Sequence, residues 1–369
     1  MVIKTTGSLS FETDIVGEFG GSRPHSMSEY YRDAGNVTPN NTSIPLIGNS
    51  IKFSDFYGTV KQFIFTVSSS IKEANLFNIA TGLGWDGNAP IVVNINPDVY
   101  IWSDNISTAG LLITSNIDAD VTINNYGYII GKGGAGGYGT SPGGNGGPAL
   151  NNQKSSGLYI YNMSGGYIAG GGGGGGGNNY QGGGGGGAGG GKGGNSNYRH
   201  KTCIGGAGGA IGQKGSDGES WGSPYINYNY GGSDGGSGDP RGFGGGAGGG
   251  GGAQIDTGSS NGQYGGAAGG GGRILGSGAT GGLGGDRSGY LRSSQREGGD
   301  GGSNNSVGDF GIDAYGREDG AGGGGGWGAS GGAGRNNIAG GSGGAAITGS
   351  SPSELVDNNS SNHIYGNVV

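Results

Sequence analysis

The side chains that could do chemistry are few and scattered. Three histidines, His25, His200 and His363, fall in separate segments, and Cys203 is the one cysteine. The run His200-Lys201-Thr202-Cys203 brings a histidine near that thiol, which alone does not make a nucleophile and its base. Matches to G-x-G-x-x-G are numerous and uninformative in so glycine-rich a chain, and G-x-x-x-x-G-K-[ST] does not occur. The run Gly235-Gly236-Ser237-Gly238-Asp239 approaches a calcium-binding nonapeptide, but its Asp is one place early and the unit does not repeat. Paired acids such as Glu318-Asp319 read as solvated loop, and no acid pair sits at a glycosidase-like spacing. The expectation is a non-enzyme with no catalytic residues, no metal and no cofactor.

A different chemistry is concentrated in residues 178–181, 195–203, 220–230, 253–264, 286–297 and 304–319. These segments combine Tyr, Trp, Ser, Asn and Gly with a few Arg, the composition of antibody paratopes, in which rigid aromatic area is joined to adaptable polar groups. Tyr198, Arg199, His200, Trp221, Tyr225, Tyr228, Tyr230, Tyr264, Tyr290, Arg292, Phe310, Tyr315 and Arg317 are the candidate contact residues. For any one of them the competing reading is an aromatic that caps the end of a scaffold.

The scaffold must be the glycine. Gly accounts for 104 of 369 residues and Pro for 10, so there is no collagen-type triplet. Most of the glycine lies between 131 and 344, in tracts such as 170–177 and 182–187. Many tracts read Gly-Gly-X, and a three-residue period is that of the polyproline-II helix. Two bare edges per helix let neighbours approach until their backbone groups pair. The spacing predicts a polyglycine-II sandwich over 131–346, with all-glycine tracts inside and the interrupting segments as loops.

Both ends of this field are anchored. Residues 121–131, with Val121, Ile123, Tyr128 and Ile130, recur at 158–170 with a two-residue insertion. A degenerate copy closes the chain through Ile347, Leu355-Val356 and Ile364-Tyr365. Such repeats stack as rungs, so the chain leaves near Gly170 and returns near Ile347. The organisation read from the sequence is therefore a small N-terminal docking module (1–60), a β-rich connecting domain (61–130), the sandwich (131–346) and a closing rung (347–369). In the first of these, Ser28-Glu29-Tyr30-Tyr31 and Ser54-Asp55-Phe56-Tyr57 are near-copies that read as short capped turns. Tyr30, Tyr31, Phe53, Phe56 and Tyr57 are the candidate docking residues.

Only 31% of residues are hydrophobic, and most of the Ile, Val, Leu and Phe lie before residue 130, so a conventional core is expected there. The net charge of −7 comes mainly from the same region, where acids outnumber bases about two to one. No basic stripe points to nucleic acid. No signal-peptide run opens the chain and no apolar run is long enough to span a bilayer, so no membrane insertion is expected.

The glycine field resembles the glycine-rich adhesins at the fibre or tail tips of tailed bacteriophages. The segment from Trp85-Asp86-Gly87 to Ile129-Ile130-Gly131 is similar to the β lead-in of glycine-rich phage tail proteins. Gly48-Asn49-Ser50-Ile51-Lys52-Phe53-Ser54-Asp55-Phe56-Tyr57-Gly58 is similar to a motif near the start of many phage structural proteins. The resemblance implies a virion receptor-binding protein, made in the host cytoplasm and carried at the tail or fibre tip. Its N-terminal module would dock on other tail or fibre proteins, and its loops would bind an outer-membrane protein or surface glycan. The alternative is a purely structural spike or decoration protein. Ice binding needs a flat face of small residues, which Trp221 and Tyr290 oppose.

Overall fold

In the computed structural model the described residues are 3–32, 34, 36–37, 41–177, 189–194, 196–198, 201–203, 205–208, 216, 302, 306–310 and 321–369. Two short helical turns, Met27–Tyr30 and Phe53–Phe56, organise the N-terminal module. Each begins earlier than the sequence repeat predicts. Ser26, with extended backbone, is the cap of the first, and Glu29 reaches back to the Ser26 N–H at 3.2 Å. Asp55 accepts from the Lys52 N–H at 2.8 Å in the second. The acid therefore sits at the third helical position in both turns; with Ser26 it closes a capping box, while Lys52, whose side chain has no acceptor, contributes only its backbone N–H. Tyr30 and Phe56 are fully buried with Ile15, Phe19 and Ile44 in a separate small core. This module is tied to the next region where Glu18 accepts from the Lys61 N–H and the Asn41 side chain brackets Val60.

From residue 63 the chain alternates apolar and polar residues in short runs, and these form a parallel solenoid with three sheets. The first sheet contains β1 (Phe63–Val67), β4 (Ile91–Ile95), β7 (Val121–Asn125), β10 (Leu158–Asn162) and β15 (Glu354–Asp357), paired in that order. The second contains β2 (Ile71–Lys72), β5 (Tyr100–Trp102), β8 (Tyr128–Ile130), β11 (Tyr167–Ala169) and β16 (Ile364–Tyr365). The third contains β3 (Ala74–Asn75), β6 (Leu111–Ile113), β9 (Leu150–Asn152) and β14 (Ile347–Gly349). A parallel bridge from Ile347 to Val368 continues this last sheet by one position. Each rung thus visits the three sheets in turn, and the five rungs stack in register. The repeat read from the sequence appears as the pairs Ile160↔Ile123, Ile168↔Ile129 and Leu355↔Ile160.

Alternation decides which side chains enter. In β4 the buried residues are Ile91, Val93 and Ile95, and the same places in β10 are Leu158, Ile160 and Asn162. The core formed by these rows extends well past residue 130, through Leu150, Ile168 and Ile347. Two polar devices are built into it. The Asn125 amide donates to Asn162 Oδ1 at 2.8 Å, and Asn162 in turn donates to Asp357 Oδ1 at 3.0 Å. Elsewhere the almost fully buried Lys154 donates to the carbonyls of Ile117 and Ala119. Its burial pushes its pKa down, against the pull of Asp120 and Asp118.

The Asn125–Asn162–Asp357 ladder predicts an acid dependence for the last rung. Burial raises the Asp357 carboxyl pKa, but the N–H of His363 and the amides of Asn359 and Asn162 outweigh it and hold the pKa below its ordinary value. A depressed folded pKa means the stabilisation is fully present above the unfolded pKa of about 3.9 and is lost as pH falls through the folded value. Tyr161 and Tyr167 hydrogen exchange or fluorescence should report loosening of β15–β16 below about pH 4. In Asp357→Asn that pH dependence should be absent.

The glycine tracts leave the solenoid at one corner, between the second and third sheets. The second rung crosses this corner in residues 103–110, the third in 131–149 and the fourth in 170–346. Residues 170–177 are buried throughout. Gly171, Gly174 and Gly177 donate to Gly147, Gly144 and Ser141, while Gly170, Gly173 and Gly176 donate to Tyr365, Ala329 and Gly332. The carbonyls of Gly172 and Gly175 accept from Gly134 and Gly137, those of Gly170, Gly173 and Gly176 from Gly328, Gly325 and Gly322. Gly344 and Gly341 donate to Gly171 and Gly174. Each neighbour is met at every third residue.

Candidate binding face

The base of the tracts is fixed by aromatic packing. Tyr100, Tyr128 and Tyr167 occupy equivalent places on β5, β8 and β11, with ring centroids 4.8 and 5.1 Å apart along the stack. His363 continues it at 4.1 Å from Tyr167. Trp327, fully buried, lies 5.9 Å from Tyr167 and 6.2 Å from Tyr365. It stands in the turn closed by the Ala329 N–H on the Gly326 carbonyl. The sequence reading had no role for Trp327, whose place within a glycine run hid it.

From this base the hydrogen-bond order gives each tract a direction. Residues 131–137 and 170–177 run outward and 142–147 returns. Residues 321–327 run inward, 329–334 outward and 338–345 inward. Gly189 and Lys192 accept from Gly133 and Gly136, so 189–194 also runs outward. At the outer end, Tyr138–Ser141 forms a turn, with the Ser141 N–H on the Tyr138 carbonyl. The bound from Gly334 to Ile338 closes a second turn through Arg335–Asn337. The hairpin of β12 (Ser196–Tyr198) and β13 (Lys201–Cys203) follows tract 189–194. The two tract turns converge: the Gly177 N–H donates to Ser141, and a Cβ on Gly177 or on Gly334 would meet the carbonyl of Gly139 or of Gly177 respectively.

Tyr198 lies on β12 in that hairpin. Phe310 is 45% exposed and follows Asp309, whose carbonyl accepts from Gly323 one level below the outer end. Arg199, His200, Trp221, Tyr225, Tyr228, Tyr230, Tyr264, Tyr290, Arg292, Tyr315 and Arg317 lie outside the described residues. In the N-terminal module, Tyr30 and Phe56 are corrected from contact residues to core residues, because both are fully buried. Tyr31, Phe53 and Tyr57 remain accessible, with the Tyr31 hydroxyl on the Asn49 carbonyl at 2.7 Å and the Tyr57 hydroxyl on Gly7. Leu46 and Ile47, exposed at 44% and 68%, belong to the same turn as Asn49 and were not singled out from the sequence. The signal was the apolar pair between Pro45 and Gly48. Among the described residues there is no group of three His, Cys, Asp or Glu placed to hold a metal ion, and no helix long and apolar enough to cross a membrane.

The described residues are mostly β, with a parallel solenoid at one end of the glycine tracts and turns bearing Tyr138, Asn336 and Asn337 at the other. Residues 62–244 match the family described as phage tail fibre adhesin Gp38. The chain is a bacteriophage tail-fibre adhesin, a receptor-binding protein of the virion. No curated protein matches the chain. A solved structure described as the gp37-gp38 adhesin tip complex of the bacteriophage S16 long tail fiber is 19% identical, covers 85% of this chain and 88% of its own, and has a TM-score of 0.39, a likeness too weak to bear on fold or partner.

Proposed function

We propose that the adhesin works as a polyglycine-II sandwich whose base is locked to the solenoid and whose outer loops touch the host. The observation that carries this reading is the three-residue spacing of every lateral hydrogen bond around 170–177, which is the repeat of a polyglycine-II helix. A strand would pair at every second residue and expose alternate faces. The domain limits are a docking module over 1–60, a solenoid that begins near 61 and closes with 347–369, and a sandwich inserted in it. The span of 131–346 expected for the sandwich is corrected to 131–149 and 170–346, because β9, β10 and β11 between them are solenoid strands. The family match begins at residue 62, which supports a separate task for the module before it. That task is docking on another tail or fibre protein through Tyr31, Phe53, Tyr57, Leu46 and Ile47. The loop residues named from the sequence contact an outer-membrane protein or a surface glycan, without catalysis and without a cofactor. Synthesis in the host cytoplasm precedes assembly on the virion.

The test is loop exchange. Replacing 220–230 or 286–297 with the corresponding length of Ser/Gly-rich chain should reduce adsorption at least tenfold while virions still assemble. Unchanged adsorption and host range would overturn the receptor-binding role of these loops. Loss of the adhesin from particles would instead indicate that they pack against virion neighbours.

A further inference from the structure

We infer that the short turns of the glycine scaffold are themselves part of the receptor contact, with Tyr138, Asn336 and Asn337 as specificity-determining residues beside the long loops. The inference rests on the adhesin reading above. Three observations lead to it. The direction of each tract places Tyr138–Ser141 and Arg335–Asn337 at the end opposite the solenoid, where the 196–203 hairpin also emerges. The two turns flank one tract end, since Gly177 donates to Ser141 and is met from the other side by Gly334. Their side chains are presented outward: Tyr138 is 41% exposed, and Thr140, Ser141, Pro142, Asn336 and Asn337 are exposed.

The chemistry of these turns is that of contact rather than packing. Tyr138 offers an exposed aromatic face and a hydroxyl with no hydrogen-bond or ring partner among the described residues. Asn336 and Asn337 hold left-handed backbone, with φ of 54° and 59°, a conformation Asn tolerates better than most residues. Their amides are therefore set on a backbone fixed by the tracts on both sides, and binding through them costs little ordering entropy. A rigid rim of this kind fixes the angle at which the longer segments meet the host surface.

The test uses purified full-length protein and a bacterial strain it is shown to bind. Tyr138→Ala and the pair Asn336→Gly with Asn337→Gly remove side chains without asking the backbone to move. Each should weaken binding at least tenfold, with thermal unfolding unchanged. Tyr126→Ala, on the solenoid, should bind as the parent does. Radical footprinting of the unmodified protein on outer-membrane vesicles from that strain provides a second measurement. Protection of Tyr138 is expected. Parent-like binding by both variants, or an unprotected Tyr138, overturns the inference while leaving the loop-exchange result intact. Failure of the unmodified protein to bind any adsorbing strain defeats the adhesin reading itself.

Discussion

Gly174→Val should abolish the packing of the glycine tracts and, with it, adsorption. Gly174 sits in the middle of the buried tract 170–177, donating to Gly144 at 2.8 Å and accepting from Gly341 at 2.7 Å. A Cβ at this position would fall inside the van der Waals envelope of the Ala135 carbonyl. The obstacle is backbone, itself held by neighbouring tracts, so no side chain can rotate away. Overpacking of a well-filled interior costs about 1–3 kcal/mol where neighbours can shift, and the cost here lies at or beyond the top of that range. Urea unfolding and limited trypsin digestion check the result: cleavage should move into 131–346. The exposed neighbour position serves as the control, since Ala135→Val meets solvent and should retain parent-like stability. A Gly174→Val protein with a parent-like midpoint would be incompatible with this packing.

Trp327→Ala should loosen the glycine tracts from their base. The indole is fully buried between Tyr167 and Tyr365, at the turn that returns the chain from the inward tract. Truncating a buried Trp to Ala costs about 3–5 kcal/mol, from lost transfer energy and from the cavity left behind. The effect on Trp327→Phe should be much smaller. Its indole Nε1 finds no acceptor among the described residues, so removing that nitrogen relieves an unsatisfied buried donor. Thermal unfolding of the two variants decides the matter. A phenylalanine variant as unstable as the alanine variant would mean that the nitrogen has a partner.

The parts of the fold that could be read from the sequence are those with a period. Val121-Thr122-Ile123 and Leu158-Tyr159-Ile160 share spacing and residue class, and they are neighbours in one sheet. The tract 170–177 has only one way to be buried, with other backbone against it. The earlier rungs were legible as a β-rich stretch over 61–130 but not as layers of one solenoid. Their corners differ, with the helix Leu76–Gly82 in one and a short loop in the next, so no common length marks the repeat. The first N-terminal cap was misplaced by two residues because Ser28 and Ser26 are equally good acceptors on paper, and the second because Lys52 has no accepting side chain to mark it. The backbone of Ser26, at φ −129° and ψ 143°, makes the choice. At the outer end, composition pointed to the long loops and passed over Tyr138 and Asn336-Asn337. Those residues matter through the direction of their tracts, which depends on lateral pairing between segments up to about two hundred residues apart and leaves no local mark.

A tail-bound adhesin is loaded when the particle is pulled by flow or by its own fibre. Force entering at the outer turns runs lengthwise along tracts whose hydrogen bonds point sideways, to neighbours at every third residue. Such bonds are sheared together rather than peeled one after another. At the far end the pull passes from residues 170 and 346 into adjacent sheets of the fourth rung, and from there into the whole stack. The glycine lattice is thus a tether that shares load across many weak bonds, and its resistance to detachment grows with the number of tracts rather than with the strength of any one contact.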